Sequence, residues 1–275
     1  MPCSNTGKAA PGAFTIDLDA LLRKKFPKVP RWMVKLVGKL LHIDFYNEFF
    51  AEGHEGMELL QSALEKMDVK IETRGLENLR KDGRYTIVCN HPLGGADAVG
   101  VVSVIGELFD GKIRVPVNDF LMSIKPLSSL FIPVSKVGVQ SRELADKTAA
   151  AYASEMQMCV FPAGKCSRKI DGRIQDPVWT KTFISKSIET GREVVPCHFS
   201  GRNSWRFYLL DRIGKMFKLS FPLAMILIPD EFYRARGKTF RFTVGKPIPP
   251  TTFDKTKTPA QWAAYVRDLT YDLNK

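Results

Sequence analysis

What the chain lacks narrows its class before any motif is read. Its 275 residues contain no run of 18 apolar residues, the length a helix needs to cross a bilayer. Residues 1–20 hold no apolar core of the kind a secretory leader needs. The expected setting is therefore the cytosol or the cytoplasmic face of a membrane, with no span. The five cysteines, Cys3, Cys89, Cys159, Cys166 and Cys197, are odd in number and show no paired spacing, which argues against a disulfide framework. No Gly-x-Ser-x-Gly elbow is present, which lowers a serine hydrolase. No His, Cys and carboxylate residues cluster as metal ligands would, so no metal is expected. There is no recognisable nucleic-acid module, internal repeat or low-complexity segment.

What remains is an ordinary globular composition with one unusual feature. Hydrophobic residues make up 44% and charged residues 25%, enough for a full core without covalent staples. The net charge of +12 predicts attraction to something anionic. With no nucleic-acid module, that is an anionic membrane surface or an acidic carrier protein.

Periodicity divides the chain near residue 68. Residues 1–14 read as a loose tail and 17–26 as a short helix. Residues 31–42 form a basic amphipathic pattern, with Arg31, Lys35 and Lys39 on one side and Trp32, Met33, Leu36, Val37, Leu40 and Leu41 filling the rest. Two readings stand for it: a helix packed on the core, or an interfacial helix resting on anionic lipid. Residues 47–67 read as a second helix, softened by Gly53 and Gly56, with His54 at its surface.

From residue 69 strand and helix patterns alternate. Strands are expected at 69–73, 85–89, 113–117, 130–134, 158–161, 194–199, 224–228 and 240–244. Helices are expected at 98–108, 142–156, 179–190, 205–217 and 259–273. Such alternation predicts an α/β fold, a mostly parallel sheet flanked by helices. Residues 1–67 would be a small N-terminal helical element and 68–275 the α/β domain.

Residues 84–97 organise the chemistry. A buried strand at 85–89 stops at Asn90-His91-Pro92, Gly94-Gly95 follow, and Asp97 stands beside an apolar helix. Pro92 holds His91 extended. An imidazole titrates near neutrality and accepts a proton there, and a carboxylate on its other nitrogen would fix the tautomer. The plain alternative for His91 is a strand-end histidine bonded to backbone.

This stretch resembles the histidine–aspartate motif of the glycerolipid acyltransferases, the family of the lysophosphatidic acid acyltransferases. Five residues separate His91 from Asp97, against the family's usual four. The Asn-His-Pro-Leu-Gly-Gly form is similar to a bacterial branch that makes amino-acid lipids such as glycine and ornithine lipids. The resemblance implies that His91 is the general base, that Asp97 orients it, and that Asn90, Gly94 and Gly95 line the site, with amides near the two glycines stabilising an oxyanion.

Three further blocks follow in the family's order. Phe131 to Gly138 places Lys136 where the family has an arginine for the acceptor's headgroup, with Arg142 a second candidate. Residues 161–169 are similar to the family's Phe-Pro-Glu-Gly-Thr-Arg-Ser block. Phe161, Pro162, Gly164 and Ser167 match, while Ala163, Lys165 and Cys166 depart. Lys165, Arg168 and Lys169 would make a compact anion site there, and Cys166 beside them would have a lowered pKa. Val195-Pro196 matches the last block, with His198 outside it.

The resemblance implies transfer of a fatty acyl group from a thioester to the hydroxyl of a lyso-lipid or an acylated amino acid. Acyl carrier protein or coenzyme A would bring the donor as co-substrate, and no further cofactor is implied. The absent glutamate at position 163 tilts the acceptor toward an acylated amino acid. The alternatives are a thioester or lipid hydrolase using the same histidine, or a non-catalytic basic lipid-binding protein.

Overall fold

The structure is a computed structural model that describes residues 14–25, 27–118, 121–134, 142–218 and 222–275. Its strands are β1 (Lys70–Arg74), β2 (Tyr85–Cys89), β3 (Ile113–Val117), β4 (Phe131–Pro133), β5 (Gln157–Val160), β6 (Arg168–Ile170), β7 (Arg173–Gln175), β8 (Glu193–Phe199) and β9 (Thr239–Val244). Seven of them form one sheet in the order β1-β9-β8-β2-β5-β3-β4. All neighbours pair parallel except β8 and β9. The expected mostly parallel α/β architecture is the one observed.

The central strand explains why. Every residue of β2 is buried, because both faces of a parallel sheet are covered by helices. Alternate side chains go to opposite faces. Ile87 and Cys89 join a core with Leu60, Val101, Val102 and Ile105. Val88 joins a second core with Trp179, Phe183, Ile184, Trp262 and Val266. The first is covered by α4 (Gly56–Lys66) and α5 (Ala96–Leu108), the second by α7 (Thr182–Thr190) and α10 (Pro259–Asp272). Each fully buried Ile, Val or Phe contributes about 1.5–3 kcal/mol relative to exposure. The helix α6 (Arg142–Ala153) ends on two arginines. Fully buried Arg192 donates to the carbonyls of Tyr152 and Ser154, and Arg84 to those of Tyr152, Ala153 and Ser154. Cations at a helix C-terminus oppose its negative end.

Two parts of the expected pattern are corrected. The strand expected at 224–228 is a 3₁₀ turn, Leu223–Leu227, leading into α9 (Ile228–Tyr233). Pro229 cannot donate to a sheet ladder, and Ala224 and Leu227 bury at a spacing of three against Phe207 and Cys166. The single helix expected at 47–67 is two helices, α3 (Ile43–Phe50) and α4, because Gly53 and Gly56 both adopt positive φ. A hairpin of β6 and β7 was not expected; it turns at Asp171-Gly172, both at positive φ.

At the N-terminus, α1 (Leu18–Lys25) and α2 (Arg31–Leu40) precede α3. No residue of α2 is buried, and Trp32, Leu36 and Leu40 are exposed. The reading of α2 as a helix packed on the core is therefore replaced: its apolar face is open. The helices are tied to the body by Asp230, whose buried carboxylate accepts from His42, Arg206 and Arg234, while His42 stacks on Tyr233. Another helix, α8 (Trp205–Met216), also leaves Trp205, Leu209 and Met216 exposed. Among the described residues no helix is long and apolar enough to cross a membrane.

Candidate active site

The parallel neighbours β5, β2 and β8 end on the same side, so the loops that follow them meet there. The loop after β2 carries His91. Its Nδ1 lies 3.0 Å from Asp97 Oδ2. A carboxylate only accepts, so Nδ1 carries the proton and the neutral ring keeps its lone pair on Nε2. The ring is 15% exposed, whereas Asp97 is fully buried in the first turn of α5.

Asp97 is held from several sides. Oδ2 also accepts from the Leu93 amide at 2.9 Å, and Oδ1 from the Ala98 amide at 2.8 Å. Burial pushes its carboxyl up. The opposing charge and hydrogen bond of His91, with the amides of Leu93 and Gly94, more than offset this and hold it below the usual carboxylate range. The Gly94 amide thus adds to the pull that keeps Asp97 ionised. Gly94 has φ of +81°, and a Cβ there would lie 2.3 Å from Cys166 Sγ. Glycine is required at this turn on both counts. Gly95 caps α5 and has only ordinary contacts to Ile228 and Phe232 at its Cβ position.

Asn90 turns away from the site. Its Nδ2 donates to the Phe199 carbonyl at 2.9 Å and its Oδ1 accepts from the Phe199 amide at 2.7 Å. It clamps β2 to the end of β8, and the expectation that it lines the substrate is replaced by this backbone role.

The loop after β5 closes over His91. The Phe161 ring lies 4.4 Å from the imidazole, centroid to centroid. Pro162 is buried and its carbonyl accepts from the Thr180 amide, while the Gly164 amide donates to Phe161. Ser167 is joined to the dyad through the backbone, its amide donating to the His91 carbonyl at 2.7 Å.

The cations of this loop separate. Lys165 and Lys169 are exposed. Arg168 is buried, ion-paired to Asp211 at 2.9 Å and packed over the Phe207 ring. The compact three-cation site is therefore corrected: Arg168 is already neutralised within the fold. Cys166 is buried as well, and burial pushes its thiol up to about 11, the reverse of the expected lowering. Arg142 is exposed at the start of α6, and Lys136 lies outside the described residues.

Asp176 is the residue that sequence reasoning missed. Only 1% exposed, its Oδ1 accepts from the Ser167 hydroxyl at 2.6 Å and from the His91 amide at 3.2 Å. Its Oδ2 accepts from Trp179 Nε1 at 2.9 Å. Burial pushes this carboxyl above its ordinary value against the pull of those donors. His198 is also buried, and loss of solvent followed by the charge of Arg241 brings it down to about 4, so it is neutral. It packs edge-on to Tyr271 and takes no part in the dyad.

The arrangement supplies an oriented base, a buried counter-charge and an aromatic wall. Residues 20–275 match the family model described as acyltransferase. The chain is 46% identical over 266 residues to the lyso-glycine lipid O-acyltransferase of Bacteroides thetaiotaomicron, covering 94% of this chain and 98% of that protein. It is 45% identical to the protein of the same name from Phocaeicola vulgatus, covering 94% and 95%. Among solved structures it is similar to the 1-acyl-sn-glycerophosphate acyltransferase PlsC of Thermotoga maritima, with a TM-score of 0.49 and 15% identity over 93% of this chain and 86% of that one.

Proposed function

The chain belongs to the acyltransferase family and is a lipid acyltransferase, and we propose that it moves a fatty acyl group from a thioester to the hydroxyl of an acylated glycine. The proposal is carried by the His91–Asp97 pair at 3.0 Å, on a chain that matches two lyso-glycine lipid O-acyltransferases almost end to end. Glycine itself has an amine and a carboxylate but no hydroxyl. An O-acyl transfer therefore needs a hydroxyl on a chain already attached to it, and attachment through nitrogen leaves an amide and a free carboxylate.

In this mechanism His91 Nε2 takes the hydroxyl proton as the oxygen attacks the thioester carbonyl carbon. A C–O bond forms and the carbonyl π pair moves onto oxygen. Collapse of that intermediate re-forms the carbonyl, breaks the C–S bond and expels the thiolate, which takes the proton back from the imidazolium. Asp97 stays ionised and stabilises the cation between the two steps. The donor thioester is carried by acyl carrier protein or coenzyme A. Lys165, together with Lys136, holds the donor's phosphate or the acceptor's anionic group. Peripheral attachment to the cytoplasmic face of an anionic membrane, through the open faces of α2 and α8, brings the lipid acceptor within reach.

The test is transfer by purified protein from acyl carrier protein and coenzyme A thioesters to a β-hydroxyacyl glycine, with products identified by mass spectrometry. His91→Ala should lose about 10²–10⁴-fold in turnover while keeping its fold. Thioester cleavage at an equal rate without the acceptor would instead make the protein a hydrolase. Vesicle binding with no turnover of any thioester would make it a lipid-binding protein.

A further inference from the structure

The proton transfer uses one buried carboxylate, Asp97, yet a second one meets the same histidine. Asp176 follows β7 and is 1% exposed. Its Oδ1 accepts from the His91 amide at 3.2 Å, while Asp97 Oδ2 lies 3.0 Å from the imidazole Nδ1. His91 is thus held by two carboxylates, one on its ring and one on its backbone. They come from different layers of the fold. Asp97 belongs to α5, which covers one face of the sheet, and Asp176 bonds Trp179, part of the core on the other face.

The partners of Asp176 fix its charge state. Oδ1 accepts from the Ser167 hydroxyl at 2.6 Å as well as from His91, and Oδ2 accepts from Trp179 Nε1 at 2.9 Å. A backbone amide and an indole N–H can only donate, so both oxygens serve as acceptors, the way an ionised carboxylate is held. Burial raises this carboxyl, and the Ser167 and Trp179 donors, the His91 amide and the charge of a protonated His91 pull it back. Its backbone is anchored too, the amide donating to the Tyr271 hydroxyl at 2.8 Å and the carbonyl accepting from Arg267 Nη2 at 3.1 Å.

The other titratable groups packed here are neutral or engaged. Burial pushes the Cys166 thiol up to about 11 and the Tyr271 hydroxyl up to about 12. Arg168 is paired with Asp211, and Arg267 donates to the Gln175 side chain and the Asp176 carbonyl. Among the described residues neither Asp97 nor Asp176 is ion-paired to a lysine or arginine. The positive charge closest to both carboxylates is the one that forms on His91 when it takes a proton. In a site shut off from water, attraction across one backbone hydrogen bond is still felt at the ring.

We infer that Asp176 is a positioning residue for the acyl transfer and the second counter-charge of the base: it fixes the His91 backbone and, with Asp97, stabilises the imidazolium formed when Nε2 takes the acceptor's proton. The inference rests on the proposed function, in which His91 is that base. Asp176 itself moves no proton and touches no substrate.

The experiment removes the charge and keeps the backbone bond. An asparagine at position 176 still accepts from His91 and Ser167 through Oδ1, but its Nδ2 would then face the Trp179 N–H, donor against donor. Asp176→Asn is therefore made together with Trp179→Phe, and Trp179→Phe alone is the reference. Against that reference the acid limb of kcat/KM should move down by about 1 pH unit, because an imidazolium that loses a nearby negative charge gives up its proton more readily. Plateau kcat should fall by about 10-fold, with little change in either KM. NMR titration of the His91 imidazole should show the same downward shift without any turnover. In wild type carrying ¹³C at the aspartate carboxyls, Asp176 should keep the signal of an ionised group at neutral pH. A folded double variant whose acid limb and His91 titration both match Trp179→Phe would overturn the counter-charge, since the backbone bond alone would then suffice. An Asp176 carboxyl found protonated at neutral pH in wild type would overturn it as well, whether or not any variant folds. If wild type transfers no acyl group while the His91 titration still shifts in the double variant, the proposed function falls and the pairing of His91 with two carboxylates stands.

Discussion

Gly94 offers the sharpest test of how the site is built. Replacing it with alanine adds one methyl group at a position with φ of +81°. The left-handed conformation costs an ordinary residue about 1–2 kcal/mol. The new Cβ would lie 2.3 Å from Cys166 Sγ and 2.8 Å from Ile228 Cδ1, far inside van der Waals contact. The isoleucine tip can rotate away, whereas Cys166 is packed among Phe207, Ala224 and Leu227 and cannot do so freely. Overpacking of this kind costs about 1–3 kcal/mol, so Gly94→Ala should lose roughly 2–5 kcal/mol in all. Urea unfolding at constant slope measures it, and turnover should fall too, because the Leu93 and Gly94 amides that hold Asp97 sit on the displaced turn.

A second variant separates the two costs. Cys166→Ala removes the sulfur, while the Cys166 Cβ lies a tolerable 3.5 Å from the added methyl. In the double variant the steric part should be relieved and the conformational part should remain, giving a coupling of about 1–3 kcal/mol in the cycle. Additive losses would show that the sulfur does not set the position of the turn. A change within about 0.5 kcal/mol for Gly94→Ala alone would refute the whole argument for glycine here.

Three other outcomes are expected. Asp97→Asn should lower kcat by about 10²–10⁴-fold with little change in either KM, since a neutral amide no longer stabilises the imidazolium and can turn its N–H onto Nδ1, selecting the wrong tautomer; a larger effect on KM than on kcat would contradict a role in orienting the base. His198, neutral in the fold with a value near 4 against 6.5 when unfolded, should cost stability as pH falls from 6.5 toward 4, because only the unfolded chain takes up the proton. Between pH 7 and pH 5 the wild type should therefore lose about 2 kcal/mol more than His198→Phe in urea melts, and parallel losses would sink that reading. Lys35→Glu with Lys39→Glu should weaken binding to anionic vesicles at low salt by about 1 kcal/mol or more per residue; unchanged co-sedimentation would remove α2 from the membrane contact.

The parts of the fold that were legible in the sequence are those where one local signal dominated. The strand at 85–89 appears with those bounds because its unbroken apolar run suits only a strand buried on both faces. The strand at 113–117 is likewise recovered, and the helix at 205–217 differs from α8 by one residue. The run at 224–228 misled because an apolar stretch of five looks the same in a strand and in a buried turn. Pro222 and Pro229, one on each side, were the signal against a ladder. Gly53 and Gly56 were visible as weak points in a helix, but their positive φ, which breaks the chain into two helices, depends on how α4 packs over α5.

The site was legible in its local part and hidden in its long-range part, and one turn accounts for the difference. His91 and Asp97 are six positions apart, so a strand end, a glycine turn and a helix start suffice to predict that they meet. Asp176 meets the backbone of His91 from 85 positions away. It arrives only because β6 and β7 fold back through Asp171-Gly172, both in the left-handed region that a two-residue hairpin turn requires. Asp-Gly between Lys169-Ile170 and Arg173-Ile174 is among the strongest short hairpin signals a sequence can carry. Read as a hairpin, it would have turned the chain after Arg168 and carried Gln175-Asp176 back toward Ser167. The same turn explains why the cationic block departs from a simple anion site: Arg168, first residue of β6, pairs inward with Asp211, and Ser167 is left to bridge Asp176 and the His91 carbonyl. The loop after β5 thus serves the base by fixing its backbone, and the exposed charge it still offers comes from Lys165 and Lys169.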